Sequence, residues 1–110
     1  MAAELSLEAL RAEIDQIDEV LVRLLDRRAR CAYAIGRLKQ TEGRGIYEPS
    51  REASVLAHVR EVNGALGGPL DGDAIGRLFE RIIDEARRIQ RLEATRTATP
   101  PAAYGTTDTQ

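Results

Sequence analysis

The feature that most constrains this chain is a long apolar stripe near its beginning. Apolar side chains recur with helical spacing, with neither glycine nor proline before Gly36, at Leu7, Leu10, Ile14, Ile17, Leu21, Leu24, Leu25, Ile35 and Leu38. Such spacing marks one face of an α-helix. Ser6 is a suitable N-cap, and the glycines of "TEGRG" (41–45) end the pattern. The stripe therefore predicts a helix from about residue 7 to residue 40.

A helix of that length needs a surface to pack against. It would be about 50 Å long, which exceeds the diameter of a compact domain of 110 residues. The remaining helical segments are too short to cover it. A second copy of the chain is the simplest cover, so the sequence predicts a homodimer.

Two shorter helices are predicted after the long one. The second begins at the N-cap Ser50 and runs for about four turns, until "NGALGGPL" interrupts it. The third begins near Asp71 or Asp73 and fades after Leu92, with Ile75, Leu78, Phe79, Ile82, Ile83, Ala86 and Ile89 on its apolar face. The tail from Thr95 has no periodicity and is expected to be disordered. We therefore predict an all-α chain in long-short-medium order, with one domain over 1–94 and a tail over 95–110.

Composition narrows the classes of function. A net charge of −2 gives no general attraction to nucleic acid. One cysteine, Cys31, and one histidine, His58, offer neither an internal disulfide nor a metal cluster, and we expect no cofactor. The N-terminal segment carries acidic residues without an apolar core, so we expect no signal peptide, no membrane span and a cytoplasmic location.

Several polar residues occupy positions where the helical pattern predicts an apolar side chain. Arg28 falls in the series 7, 14, 21, 28, 35, and Lys39, the only lysine, returns to within about 20° of the same face, roughly 16 Å along the axis. The two could clamp a small anionic molecule, although Arg28 could also lay its stem over the core with Asp26 as counter-ion. Gln90 on the third helix could bond a neighbouring backbone, stay wet near a frayed end, or bind a ligand oxygen.

Two further arginines carry weaker signals. Arg51 lies beside Glu52 in the predicted first turn of the second helix, where a cation opposes the helix dipole. Arg11 flanks the long stripe and needs no special explanation by itself. The sequence offers no convincing nucleophile with its base and no phosphate-binding glycine loop, so a reaction would depend on positioning and electrostatics.

In combination these residues resemble the all-helical, or type II, chorismate mutases. The resemblance is carried by "LEALRAEIDQIDEVLVRLLDRRARCAYAIGRLK", "IYEPSRE" and "IGRLFERIIDEARRIQ", in that order, over about residues 5 to 93. It implies an intertwined homodimer with two shared active sites that rearrange chorismate to prephenate in aromatic amino acid biosynthesis. No covalent intermediate or cofactor is implied.

The resemblance also implies roles for individual residues. Lys39 and Gln90 would stabilise the charge that develops on the ether oxygen, and Arg28 would assist them. Arg11, Arg28 and Arg51 would hold the two carboxylates of the substrate. Glu52 and the loop at Glu48 would hold the ring hydroxyl. Arg11 and Lys39 are 28 residues apart, roughly 42 Å of helix, so one of them would come from the partner chain.

Two positions depart from the pattern, and alternatives stay open. Many family members have Asp at position 48 and Ser at position 86, where this chain has Glu48 and Ala86. The rival functions are a mutase of 4-amino-4-deoxychorismate, whose cationic amine could pair with Glu48 and Glu52, an isochorismate pyruvate lyase, and a non-catalytic helical interaction module. The sequence is silent on whether a larger shikimate-pathway enzyme activates the protein.

Overall fold

A computed structural model describes residues 6–98 as three α-helices, with no strand in that range. They are α1 (Leu7–Thr41), α2 (Pro49–Leu66) and α3 (Gly72–Ala98). The predicted all-α class and the long-short-medium order are confirmed, with 35, 18 and 27 residues in the three helices. None of these helices is both long enough and apolar enough to cross a membrane.

The chain divides into two compact units, which meet between Cys31 and Ala32 within α1. The first unit, as far as it is described, is the helical segment up to Cys31. The second contains the remainder of α1 together with α2 and α3, and α2 packs against α3. All of the contacts described below for the candidate site lie in the second unit.

The ends of α1 follow the capping chemistry of the sequence. The Ser6 hydroxyl accepts a hydrogen bond from the Ala9 backbone N–H at 3.0 Å, as an N-cap should. At the other end Gly43 adopts a φ of 70°, and the backbone N–H groups of Gly43 and Arg44 donate to the carbonyls of Gln40 and Lys39. This is the Schellman arrangement, which a residue with a side chain would strain. The predicted bounds of α1 are thereby confirmed to within one residue.

The start of α2 corrects the sequence prediction. Glu48, not Ser50, is the N-cap, and Pro49 takes the first helical position, where its missing N–H costs nothing. The helix also continues through Asn63 and Gly64 to Leu66, so it is longer than predicted, and it ends at Gly67 with a φ of 66°. The Asn63 side chain donates to the Leu70 carbonyl at 2.9 Å and so binds the loop instead of breaking the helix.

The bounds of α3 agree with the prediction at one end only. The Asp71 carboxylate accepts from the Ala74 backbone N–H at 2.8 Å, which makes Asp71 the cap of the two candidates. At its far end α3 runs on to Ala98, so positions 95–98 of the predicted tail are helical. The rest of that tail, 99–110, lies outside the described residues.

The most protected positions in residues 6–96 are unusual for a core. Only Ala32 and Ile83 are buried apolar side chains, whereas Lys39, Gln90 and Glu93 are buried with exposures of 7%, 7% and 3%. Burying polar groups is costly unless each finds a partner. The second unit is therefore organised around a polar centre.

Candidate active site

Lys39 is the centre of the candidate site. Its ammonium nitrogen, Nζ, donates to the Ile46 carbonyl at 3.0 Å and to Gln90 Oε1 at 3.2 Å, and it lies 3.2 Å from Glu48 Oε1. An ammonium has three N–H donors, and the three oxygens match that number. Since Lys39 is buried, these contacts fix the position of its ammonium group and the direction of its donors.

The turn after α1 explains how Lys39 meets two of these oxygens. Lys39 lies in the last turn of the helix, and Gly43 reverses the chain directly after it. The reversed chain brings the Ile46 carbonyl and the Glu48 carboxylate back over the ammonium. A lysine also suits the negative end of the helix dipole. The glycines that mark the end of α1 in the sequence thus help to build the site.

Gln90 bridges the end of α1 and α3. Its side-chain Nε2 donates to the Ala32 carbonyl at 3.1 Å, and its Oε1 accepts from Lys39. These partners fix the orientation of the amide, because the carbonyl can only accept and the ammonium can only donate. The sequence left open whether Gln90 bonds a neighbouring backbone or stays hydrated near a frayed helix end. The hydrogen bond to the Ala32 carbonyl confirms the first interpretation, and the burial of Gln90 shows that the second is wrong. The second N–H of the amide is a donor that an added ligand oxygen could take.

Gly36 allows α1 and α3 to approach closely at Gln90. A β-carbon built at position 36 would lie 3.0 Å from Gln90 Cγ and 3.4 Å from its Cα. A glycine inside a helix costs about 0.5–1 kcal/mol relative to alanine. Here the missing side chain leaves room for the Gln90 amide between its two partners.

Glu48 joins the site through two cations. Besides Lys39, it pairs with Arg44, whose NH2 lies 3.0 Å from Oε2. The hydrogen bond and charge of Lys39 lower the pKa of Glu48 from its ordinary value, and the charges of Arg44 and Arg51 act in the same direction. With 32% of its side chain exposed, Glu48 is the most accessible of the side chains bound to Lys39.

Glu52 lies one helical turn after Glu48 and has its own cation. The guanidinium of Arg87 on α3 binds it in a bidentate pair, with Nε donating to Oε2 at 2.8 Å and NH2 donating to Oε1 at 3.2 Å. The Tyr47 ring lies over Arg87, with 5.7 Å from its centroid to the guanidinium carbon. This arrangement was not predicted, since 35 residues separate Glu52 and Arg87 in the sequence.

Glu93 is a second residue that the sequence analysis missed. Both of its carboxylate oxygens accept from Arg96, at 3.0 and 2.8 Å, and Arg37 NH1 lies 3.9 Å away. The hydrogen bond from Arg96 lowers the pKa of Glu93, burial opposes that shift, and a hydrogen bond from Tyr33 supports it. A signal was available: Glu93 continues the inward spacing of Ile83, Ala86 and Gln90, and so resembles Arg28 as a charge on an apolar stripe.

The remaining predicted residues fall into two groups. In the second unit, half-buried Ala86 lies one turn before Gln90, and the exposed Arg51 side chain has no hydrogen bond or ion pair to any residue in 6–98. Arg11 and Arg28 belong to the first unit, where Arg11 is exposed and Arg28 is half-buried. The structure brings Lys39, Glu48 and Gln90 together. The roles of the site residues, and the contribution of Arg11 and Arg28 to the site, stay predictions.

A family model described as chorismate mutase type II matches residues 10–91, most of the 110-residue chain. The chain belongs to this family. The family resemblance predicted from sequence is thereby confirmed.

Curated relatives agree with the family match. The chain is 42% identical over 96 residues to a bifunctional chorismate mutase/prephenate dehydratase of Pseudomonas aeruginosa, covering 83% of this chain and 26% of the relative. It is 39% identical to a protein of the same name from Stutzerimonas stutzeri, covering 77% of this chain and 24% of the relative. A T-protein of Enterobacter agglomerans is 37% identical, covering 91% and 26%. The chain thus spans about a quarter of the length of these relatives.

Proposed function

We propose that this chain rearranges chorismate to prephenate for aromatic amino acid biosynthesis, in the cytoplasm. The observation that carries the proposal is the buried pair of Lys39 and Gln90, whose donors are fixed by the contacts described above. Preorganised donors in a protected site stabilise developing charge more than water does, because they need not reorient as the charge forms.

The reaction needs donors and no external reactant. In this Claisen rearrangement the bond between the ether oxygen and the ring carbon breaks while a carbon–carbon bond forms within the same molecule, so that no electron or proton leaves it. Bond breaking runs ahead, and negative charge gathers on the ether oxygen. Lys39 Nζ and the second N–H of Gln90 would donate to that oxygen, more strongly in the transition state than in the substrate.

The surrounding charges suit the rest of the substrate. Arg51, which has no ion pair within residues 6–98, is available for one carboxylate, together with Arg28 and with Arg11 from a partner chain. Glu52, with Glu48, would accept from the ring hydroxyl. Since Glu48 is the most accessible side chain on Lys39, we expect its carboxylate to turn away when the ether oxygen arrives. Ala86 offers no hydroxyl, so the substrate carboxylate near it would depend on the arginines.

The proposal is tested by following the loss of chorismate absorbance with the purified chain. We expect saturable turnover, with prephenate identified as the product. Chorismate, 4-amino-4-deoxychorismate and isochorismate are then compared at equal enzyme concentration. Turnover of the amino analogue alone would replace this proposal by the amino-mutase alternative, and pyruvate release from isochorismate would favour the lyase. Inactivity on all three would favour the non-catalytic helical module.

We also propose that the chain acts as a homodimer with shared active sites. Support comes from the first unit, in which Leu7, Leu10, Ile14, Ile17, Leu21, Leu24 and Leu25 are each 44–59% exposed. An apolar stripe of this extent marks an interaction surface. A second copy of the same stripe is its natural cover, because a two-fold axis pairs one surface with itself.

The dimer predicts a difference between two otherwise similar substitutions. Sedimentation equilibrium at micromolar concentration is expected to give twice the chain mass of 12.1 kDa. Leu21→Glu should weaken the dimer and lower activity, since it buries a charge. Ala12→Glu, on the opposite side of the helix, should leave both unchanged. A monomeric wild type with full activity would contradict the shared site.

A further inference from the structure

The pair between Arg87 and Glu52 has a consequence for substrate choice. Glu52 is a half-buried carboxylate, and both of its oxygens accept from one guanidinium. A bidentate pair of this kind is stronger and better oriented than a single charge contact. The negative charge of the Glu52 carboxylate is therefore already paired with the positive charge of Arg87.

Contacts from its own helix and from two other parts of the chain fix the position of Arg87. On its own helix, Asp84 Oδ1 lies 3.2 Å from Arg87 NH2. The Tyr47 ring, from the segment before α2, covers the guanidinium, and Glu52 holds it from the first turn of α2. A planar guanidinium held from several sides is hard to displace, and lysine could not reproduce the fork. We call the side of the site formed by Glu48, Glu52 and Arg87 the acidic wall. The charge of Arg87 is thus a permanent part of this wall.

The second acidic residue of the wall is compensated in the same way. The backbone N–H of Glu52 donates to the Glu48 carbonyl at 3.0 Å, so the two carboxylates come from successive positions of one helical turn. Glu48 pairs with Lys39 and Arg44. The exposed outer acids Asp84 and Glu42 also face cations, and the four carboxylates share three of them, Lys39, Arg44 and Arg87. Each carboxylate of this wall therefore has a cation beside it before any ligand binds.

We propose that Arg87 is a specificity-determining residue, which makes this site accept a neutral hydroxyl on the substrate ring and reject an ammonium at the same place. The inference rests on the proposed function, in which Glu52 and Glu48 face that substituent. A hydroxyl can still donate to Glu52, because an ionised carboxylate has about four lone-pair sites and Arg87 takes two. An ammonium would meet Arg87 as a like charge, and specificity commonly uses such repulsion.

The test is the ratio of kcat/KM for chorismate to that for 4-amino-4-deoxychorismate, measured on the full chain. Arg87→Met removes the charge and keeps an unbranched side chain of similar length. We expect the ratio to fall by at least about tenfold, chiefly through a lower KM for the amino analogue, because a like charge at the ligand has gone. General damage to the fold would lower both values together and would leave the ratio unchanged.

Two controls separate the charge from other effects. Arg87→Lys keeps the charge but loses the fork, and it should retain the preference for the hydroxyl. Arg88→Met changes the neighbouring arginine, which is exposed and pairs with Glu85, and it should leave the ratio unaltered. If circular dichroism shows that Arg87→Met does not fold, Arg87→Gln, which is uncharged but can still donate to Glu52, takes its place.

The outcomes distinguish the inference from the proposed function. A wild type that rearranges chorismate, with a ratio that stays the same in the folded uncharged variant, overturns the role of Arg87 and leaves the function standing. A wild type that prefers the amino analogue overturns both. A ratio that falls in the uncharged variant and not in Arg87→Lys supports the inference.

Discussion

Lys39→Ala is expected to reduce kcat for chorismate by at least about 100-fold, the scale of losing one preorganised donor. The substitution removes the ammonium, and Gln90 Oε1 loses its donor. The negative charge that develops on the ether oxygen then has only the second N–H of Gln90 to stabilise it. The loss should therefore appear in kcat more than in KM, because the interaction is made mainly in the transition state.

The fold should survive this change, which makes the kinetic result interpretable. Glu48 keeps Arg44 as a partner, and its exposed part can be hydrated. Helical circular dichroism and the sedimentation mass are the checks. Arg30→Ala, which removes an exposed pair with Asp26 on the same helix, is the matched control and should retain full activity. Turnover by Lys39→Ala within a few-fold of the wild type would mean that the proposed mechanism is wrong.

The second large effect is expected at Gly36, where a methyl group is enough to disturb Gln90. Gly36→Ala places a β-carbon 3.0 Å from Gln90 Cγ, and Gln90 cannot move aside freely because hydrogen bonds hold it at both ends. Overpacking of this kind costs about 1–3 kcal/mol. The helix propensity of alanine returns about 0.5–1 kcal/mol. We expect little or no gain in the free energy of unfolding and a loss of activity of about tenfold, since small misplacements of catalytic groups are costly.

Gly64→Ala is the matched control for this prediction. Gly64 lies within α2, and a β-carbon there would meet nothing within 4 Å. The control should gain about 0.5–1 kcal/mol of stability from helix propensity alone, with unchanged activity. Urea unfolding and kcat/KM of both variants provide the comparison. If Gly36→Ala were as stable as Gly64→Ala and fully active, the close approach at Gln90 would have no functional importance.

The amino-acid pattern predicts most of the secondary structure for a local reason. Ser6, Asp71 and Gly43 act through hydrogen bonds or backbone angles within a few residues, so their effects can be read without knowing the fold. The exceptions are also instructive. Ser50 looked like a cap, but Pro49 at the first helical position moved the start of α2 to Glu48. Gly64 looked like a break, but a single glycine within a helix is tolerated.

The sequence by itself determined the helical class and the family resemblance. It also singled out Lys39 and Gln90 as candidates, because a polar residue on an apolar stripe and a single lysine are visible in one dimension, while Glu48 became a candidate through the resemblance. Only the tertiary structure decided the partners of these residues. Arg87 meets Glu52 across 35 positions, and the buried Glu93 meets the exposed side chain of Arg37 from α1. Hydrogen bonds and ion pairs act over a few ångströms in space, and helix packing brings such groups together whatever their separation along the chain.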